Sequence, residues 1–164
     1  MSRRDEILDV ATTVLEDHGP DALTMRELAS RMGIRAPSLY KHVNDKADIL
    51  AGLQQRALLG LAAHLEAAGP GLGPLADAYR SWARAHPKLY ELATRNPLER
   101  DRIAPGVESA AAAPLVAAAG GEEHLARALW SLAHGLVDLE LSGRFPPGAD
   151  LDATWRVALS AFEQ

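Results

Sequence analysis

The sequence contains no cysteine, and only 5% of its 164 residues are aromatic. The absence of cysteine excludes disulfide bonds, thiolate metal ligands and a cysteine nucleophile, and it is compatible with a reducing compartment. No stretch approaches the ~20 consecutive apolar residues of a membrane-spanning helix, and the N-terminal MSRRDEILDV turns acidic before any apolar run could act as a signal. We therefore expect a soluble, cytoplasmic protein with no membrane partner.

Signals of catalysis and of metal binding are also missing. The six histidines include no pair at i, i+4 spacing and no accompanying carboxylate motif. There is no G-x-S-x-G motif, no glycine-rich phosphate loop and no pair of carboxylates whose spacing indicates a catalytic acid and base. The sequence predicts no catalytic residue, no metal site and no cofactor, so we do not expect an enzyme.

Charge is unevenly distributed along the chain. The formal net charge is −5, yet residues 24–46 carry five basic and two acidic side chains, a local excess of +3. Affinity for DNA comes mainly from neutralised phosphates, so this local excess permits DNA binding by an otherwise acidic protein. A single protomer with only a few phosphate contacts would bind DNA weakly, and this favours a dimer that contacts two half-sites.

The stretch from residue 24 to 50 has the pattern of a helix-turn-helix. Thr24 followed by Glu27 is a capping-box arrangement that starts a helix at about residue 25, and Gly33 can take the positive φ that ends it. A small residue, Ala29, would let the next helix cross closely, with Leu39 filling the angle between the two. The second helix is predicted over residues 36–42.

Polar side chains on this second helix would face away from Leu39, and Tyr40 adds a hydroxyl on a rigid ring. This mixture is expected where a helix end meets phosphates and base edges. Asp45 is predicted to cap a further helix, at whose N-terminus Lys46 would stand where an anion is favoured.

The run LTMRELASRMGIRAPSLYKHVNDKADIL resembles the DNA-binding domain of the tetracycline repressor (TetR) family, most closely in SLYKHVNDK. The resemblance implies a base-edge or phosphate contact at matching positions. We expect Arg35, Pro37 and Ser38 at base edges, with Pro37 against a thymine methyl group. The full predicted DNA-binding set is Arg26, Arg35, Pro37, Ser38, Tyr40, Lys41, His42 and Lys46, of which Tyr40, Lys41, His42 and Lys46 are expected at phosphates.

Helices are predicted both before and after this motif. A first helix over residues 3–18 should support the pair, and Arg3 and Arg4 form either a mobile basic tip that touches phosphates or a merely solvated terminus. A long helix over residues 46–68 follows, and in the family it belongs to both domains, so that tilting it would change the distance between the two DNA-binding domains of a dimer. The interior of the chain should hold helices at 75–85 and from Pro87, a loop or short turn at 96–106, and a helix at 110–119 interrupted at Pro114.

Two late helices, predicted over residues 122–142 and 151–162, carry broad apolar faces. A twofold copy could complete a four-helix bundle there, although simple burial within one protomer is the alternative. Within the first of them, LWSLAHGLVDLELSGRF resembles the WHG-type C-terminal domain of one branch of the same family, through Trp130, His134 and Gly135.

A group of large amphipathic side chains lies in the second half of the chain. Apolar rings with a few polar handles are the usual lining of a small-molecule site, although rings at helical spacing are also ordinary core residues. The candidate ligand-binding residues are Tyr79, Trp82, His86, Tyr90, Trp130 and His134.

The sequence thus predicts an all-α protein, with a three-helix helix-turn-helix domain at 1–47 and a helical ligand-binding and dimerisation domain at 48–164. Its predicted function is that of a ligand-responsive regulator, a repressor that binds a palindromic operator as a homodimer through its last two helices and responds to a small-molecule effector. Two alternatives remain: a dimeric helical module that binds another protein, and a small helical enzyme or lipid carrier without DNA binding.

Overall fold

The computed structural model describes residues 2–162, and within them every regular element is helical. This confirms the all-α prediction. The α-helices are α1 (Arg3–His18), α2 (Met25–Arg31), α3 (Ala36–Leu39), α4 (Lys46–Ala68), α5 (Leu72–Ala85), α6 (Pro87–Arg95), α7 (Val107–Ala118), α8 (Glu123–Leu141) and α9 (Leu151–Ser160), with 3-10 turns at Pro20–Ala22 and Arg100–Arg102. None of these described helices combines the length and the hydrophobicity that a membrane span requires.

The helices form two compact units. The first contains residues 2–59 and 86–107, and the second contains residues 60–85 and 108–162. The long helix α4 therefore contributes residues to both units. So does the middle of the chain, because α5 belongs to the second unit and α6 to the first.

Helix α1 supplies much of the core of the first unit. Its apolar stripe is fully or almost fully buried, and a reciprocal pair of hydrogen bonds between Ser2 and Asp5 caps its N-terminus. Near its C-terminus, the carboxylate of Glu16 accepts hydrogen bonds from the backbone N–H groups of Lys88 (3.1 Å) and Leu89 (3.0 Å). Because these are unpaired amides of the first turn of α6, Glu16 caps α6 and attaches it to α1.

A buried glutamine attaches the segment after α6 to α4. Gln54 is only 1% exposed. Its amide nitrogen donates to the carbonyls of Pro97 (3.0 Å) and Leu92 (3.4 Å), and its amide oxygen accepts from the N–H of Glu99 (3.0 Å). Its neighbour Gln55 accepts a 2.8 Å hydrogen bond from the N–H of residue 104. Residues 92–104 are therefore held by side chains of α4, a connection that sequence periodicity did not reveal.

The second unit is centred on Arg80 of α5. Its guanidinium makes two hydrogen bonds to Glu140 of α8 (2.7 and 3.1 Å) and one to Asp152 of α9 (2.6 Å), and it lies 5.9 Å from the centre of the Trp155 ring. The hydrogen bonds to Glu140 and Asp152 outweigh desolvation and raise the pKa of Arg80 above its ordinary value. One side chain therefore connects three helices of this unit.

The predicted helices differ from the structure at several points. Helix α5 begins at Leu72 rather than at residue 75, because Pro74 fits in its first turn, where a backbone N–H would have no helical partner. Helix α7 is continuous from Val107 to Ala118, with Pro114 inside it. A proline removes only one backbone hydrogen bond, and the alanine-rich residues around it retain enough helix preference to continue through it. The α-helical part of α3 ends at Leu39, three residues earlier than predicted, because the N–H of His42 donates to the Leu39 carbonyl in a tighter turn.

Candidate nucleic-acid interface and apolar cavity

The helix-turn-helix is built around a small buried contact between α2 and α3. Leu28, Ala29, Leu39 and Val43 are all buried there. Gly33 has φ = +64°, a left-handed conformation that turns the chain sharply out of α2 and that other residues adopt only with strain. This buried contact and the turn at Gly33 therefore fix the positions of α2 and α3, and with them the positions of their exposed side chains.

The N-terminal cap of α2 is only partly as predicted. The Thr24 hydroxyl accepts a 3.1 Å hydrogen bond from the N–H of Glu27, as expected of a cap. The second half of a capping box does not form. Instead, the Glu27 carboxylate accepts a 2.7 Å hydrogen bond from Arg31, because a cation one turn later competes for it. This interaction lowers the pKa of Glu27.

The eight predicted DNA-binding residues lie on three consecutive elements of the first unit. Arg26 is on α2, Arg35 precedes α3, and Pro37 and Ser38 are in its first turn. Tyr40, Lys41 and His42 occupy the following turn, and Lys46 begins α4. Seven of them are exposed, Tyr40 by 54%, and Ser38 is half-buried. All eight side chains therefore remain accessible to a ligand.

The basic side chains of this surface differ in their partners. Arg31 is paired with Glu27. No ion pair within residues 2–162 involves Arg26, Arg35, Lys41 or Lys46; the Lys46 ammonium lies 3.4 Å from the Pro20 carbonyl. Four exposed cations therefore keep their charge uncompensated by direct contact, and we call them the basic surface.

The start of α4 is held by a connected set of charged groups. The Asp45 carboxylate accepts from the N–H of Asp48 (2.7 Å), which confirms the predicted cap, and it also accepts from Arg102 (2.8 Å). These contacts lower the pKa of Asp45, with the Asp48 backbone N–H as the largest cause and Arg102 next. Arg102 thus compensates one of the two acidic charges counted in residues 24–46.

Asp48 in turn pairs with Arg4 of α1 at 2.7 Å and accepts a 2.9 Å hydrogen bond from the N–H of Asn44. Burial would raise the pKa of Asp48, but the Arg4 guanidinium and the Asn44 N–H outweigh it and lower that pKa. The predicted mobile tip is therefore wrong for Arg4, whose charge is used to attach α1 to α4. Arg3 bonds to Glu6 within α1.

The six candidate ligand-binding residues do not lie in one unit. Tyr79, Trp82, Trp130 and His134 belong to the second unit, whereas His86 and Tyr90 belong to the first, where Tyr90 is fully buried on α6. In the second unit the rings of Trp130 and His134 stack with their centres 5.8 Å apart.

Two of the six residues, Tyr79 and Trp130, line an apolar cavity of about 40 Å³ inside the second unit. The other lining residues are Leu65, Leu72, Leu75, Ala76, Leu115, Leu129, Ala133 and Leu159. Next to it, and sharing Leu65 and Leu75 with it, is an open groove of about 450 Å³. The groove is otherwise lined by Glu66, Gly69, Pro70, Gly71, Ala113, Pro114, Ala117 and Ala118.

The late helices expose several large apolar side chains. Trp130 (46% exposed) and Leu139 (41%) lie on α8, and Val157 (72%) lies on α9. Asp150 caps α9 by accepting a 2.9 Å hydrogen bond from the N–H of residue 153. Trp130 and Leu139 are nine residues apart and therefore lie on opposite faces of α8. Exposed apolar side chains such as Leu139 and Val157, on consecutive helices, are typical of a surface that packs against another protein chain.

Comparison with protein families gives two matches along the chain. Residues 7–53 match the model described as bacterial regulatory proteins of the tetR family, and residues 72–162 match a tetracycline-repressor-like C-terminal domain. The two matched regions follow one another in the order that the two sequence resemblances predicted.

Among curated proteins, the chain is similar to an uncharacterized HTH-type transcriptional regulator, Rv0681, of Mycobacterium tuberculosis. The two are 36% identical over 156 residues, which cover 85% of this chain and 71% of the relative. The chain is also 36% identical over 81 residues to the class D tetracycline repressor of Escherichia coli, an alignment that covers 49% of this chain and only 34% of the repressor. The latter likeness is thus restricted to part of each protein.

Solved structures show the same fold. The protein SCO4313 superposes with a TM-score of 0.78 at 29% identity, covering 96% of this chain and 93% of its own. BioQ bound to its double-stranded DNA operator superposes with a TM-score of 0.65 over 98% of both chains, but at 18% identity that likeness concerns the fold alone.

Proposed function

The chain belongs to the tetracycline repressor family of DNA-binding transcriptional regulators, and on that premise we propose that it is a dimeric, ligand-responsive repressor of a palindromic operator. The observation that carries this proposal is the basic surface, which presents four exposed, unpaired cations on the helix-turn-helix of an acidic protein. Neutralisation of phosphates by such cations supplies most of the affinity for DNA.

Within this proposal, the turn around α3 contacts the DNA. Arg35, Pro37 and Ser38, at the start of α3, contact base edges in the major groove, where an arginine can bond guanine and an apolar ring can meet a thymine methyl group. Tyr40, Lys41, His42 and Lys46 contact phosphates, and Arg26 adds charge from α2. The exposure of this set supports the assignment.

We place the dimer interface on α8 and α9. The exposed apolar side chains of Leu139 and Val157 support this choice, since a twofold copy of the same two helices would cover them in a four-helix bundle. A dimer also doubles the number of phosphate contacts, which a protomer with four unpaired cations needs for useful affinity.

The proposed response to an effector follows from linkage. Helix α4 contributes residues to both compact units, so a small molecule that binds the second unit can act on the DNA-binding unit through this helix. An effector that prefers a conformation unsuited to the operator must weaken DNA binding, and DNA must weaken effector binding equally. Because the operator DNA of a bacterial regulator lies in the cytoplasm, the proposal includes a cytoplasmic location and no catalytic activity.

The test is a salt titration of Lys46→Ala. An operator is first obtained by selecting bound sequences from random DNA, and affinities are then measured by gel shift at several salt concentrations. The slope of log affinity against log salt should become shallower by about 0.9 per protomer, or roughly two per dimer, because one phosphate contact is lost from each protomer.

Lys88→Ala provides a matched control. It removes the same charge from a half-buried lysine of the first unit, which lies on α6 outside the basic surface and pairs with Glu91. Its slope should match that of the unaltered protein. A Lys46→Ala protein with unchanged affinity and slope would remove Lys46 from the DNA contact, and failure of the unaltered protein to select any DNA sequence would refute the proposal as a whole.

A further inference from the structure

We propose that the groove and cavity of the second unit together bind a cationic amphiphile, with the end of its apolar tail in the cavity and its cationic head beside Glu66. This inference rests on the proposed function, because it names the chemical class of the effector. Its evidence is the chemistry of the lining, the charge of the unit and the two leucines that line both spaces.

The two spaces are neighbours that share two lining residues. Leu65 of α4 and Leu75 of α5 line both of them. The cavity alone, at about 40 Å³, is far below the ~300–1,000 Å³ of ordinary ligand sites, whereas the groove, at about 450 Å³, falls within that range. A ligand that fills both must therefore have a body in the groove and a narrow extension that reaches past the two leucines.

The cavity accepts only an apolar group. Its lining consists of leucine and alanine side chains with the rings of Tyr79 and Trp130, and no charged side chain takes part. A polar or charged group placed there would lose its hydration without a compensating ion pair. The extension of the ligand is therefore a hydrocarbon chain or a similarly apolar group.

The groove carries one charged side chain, Glu66. It is exposed, and within residues 2–162 its carboxylate makes no hydrogen bond or ion pair. The remaining walls are the glycine–proline turn after α4 and small side chains of α7, among them Ala117, none of which bears charge. Because Glu66 is the charged side chain of the groove, the groove favours a ligand with a cationic head group.

The charge of the surrounding unit favours the same sign. The described residues of the second unit include nine acidic and five basic side chains, a net charge of −4. Arg80 is engaged by Glu140 and Asp152, so it does not offset Glu66. A field of this sign concentrates cations and repels anions at an open groove.

The test compares three probes that share a ten-carbon tail, used below their micelle concentrations: decyltrimethylammonium, decyl sulfate and decyl glucoside. Their binding to the full chain is measured by isothermal titration calorimetry. Decyltrimethylammonium should bind most tightly and decyl sulfate most weakly. Glu66→Gln should reduce the preference for the cation over decyl glucoside by about two- to fivefold, as expected for an exposed charge pair.

Two matched controls locate the site. Glu122→Gln removes the same charge from the same unit outside the lining and should leave the preference unchanged. Ala117→Phe fills the groove and should reduce the affinity for all three probes at least tenfold, whereas Ala112→Phe places the same side chain on an exposed position of α7 that does not line the groove and should not. Circular dichroism checks that all variants fold.

The outcomes separate this inference from the proposed function. Equal binding of the three probes, tighter binding of decyl sulfate, or no effect of Ala117→Phe would overturn the inference. If decyltrimethylammonium binds as expected but does not weaken operator binding, the site stands and the ligand response of the proposed function fails. If the protein binds DNA but none of the probes, the inference fails and the DNA-binding role stands.

Discussion

Replacement of Gln54 by methionine should destabilise the protein far more than the same replacement one residue later. Gln54 is buried and makes two hydrogen bonds at 3.0 Å and one at 3.4 Å with backbone groups of residues 92–99. Methionine has a similar length but cannot make these bonds. The Pro97 carbonyl and the Glu99 N–H would then be left without their partner.

The expected cost follows from these contacts. A fully buried backbone group that loses its partner costs about 1–3 kcal/mol. Because the bonds to Pro97 and Glu99 are only part-buried, we expect about 1–2 kcal/mol for each, and thus a loss of about 2–4 kcal/mol in the free energy of unfolding. Gln55→Met is the matched control, because its single bond, to the N–H of Ala104, lies at an exposed position where water replaces it. That substitution should cost about 0.5 kcal/mol or less.

Urea unfolding at a constant chain concentration measures both variants. With an m-value of about 2 kcal/mol/M, Gln54→Met should lower the midpoint by roughly 1–2 M, whereas Gln55→Met should shift it by no more than about 0.3 M. Circular dichroism follows the whole chain, while tryptophan fluorescence follows the second unit, since Trp82, Trp130 and Trp155 all lie there. Equal shifts for the two variants would refute the reasoning.

Three further predictions concern a turn, a charge and the proposed dimer surface. Gly33→Ala should lower the free energy of unfolding by about 1–2 kcal/mol because φ is +64° there. Gly60→Ala lies within helix α4, and its new methyl group would be at ordinary contact distance from the Trp82 ring, so it should raise the free energy of unfolding by about 0.5–1 kcal/mol. Thermal melts in which both substitutions shifted the midpoint in the same direction would contradict this. The fold lowers the pKa of Asp48 below its value of about 4 in the unfolded chain. The Asp48 carboxylate therefore stabilises the protein fully above that pH and loses this stabilisation as the pH falls through the lower pKa of the folded state. Asp48→Asn should therefore be less stable than the unaltered protein at pH 7, with a gap that closes in acid, and a gap independent of pH in urea titrations would exclude this role. Val157→Arg, on a side chain 72% exposed in the protomer, should leave the fold intact but give monomers in analytical ultracentrifugation, and dimers of unchanged affinity would remove α9 from the interface.

Local patterns predicted the helices because local physics forms them. The apolar stripe of α1, the caps at Thr24, Asp45 and Asp150, and the positive φ of Gly33 depend on residues within one helical turn. Such signals can be read from spacing alone. Where they failed, at the end of α3 and at Pro114, the outcome depended on how well neighbouring turns could compensate for one lost hydrogen bond.

Long-range polar contacts could not be predicted in this way. The Glu16 cap of α6 spans 72 residues, the Asp45–Arg102 pair spans 57, and the Gln54 contacts span 38–45. A glutamine on a largely apolar helix gives no sign of its partners, and Arg102 falls within residues 96–106, which the sequence predicts only as a loop or short turn. These contacts decide that α6 and the segment after it belong with the DNA-binding helices, while α5 does not.

The candidate sites show the same division between local and distant determinants. Exposure of the DNA-binding set followed from its spacing around Leu39, but the number of cations left unpaired depended on Glu27 and Arg102. On the ligand side, aromatic content alone grouped side chains that the fold assigns to different units. The lining of the cavity is mostly leucine, which no composition argument distinguishes from ordinary core.

Arg80 explains how a short second unit can present a defined surface on α8 and α9. Few side chains of these helices are fully buried, namely Ala126, Leu129, Val137 and Trp155, so apolar packing alone gives them limited support. The Arg80 guanidinium bonds to one carboxylate on each helix, and its fixed planar geometry constrains both at once. Because Glu140 is largely shielded from water, this bond is screened less than a surface ion pair. The arrangement of the proposed dimer surface therefore depends on a charged side chain of α5 that itself lies outside that surface.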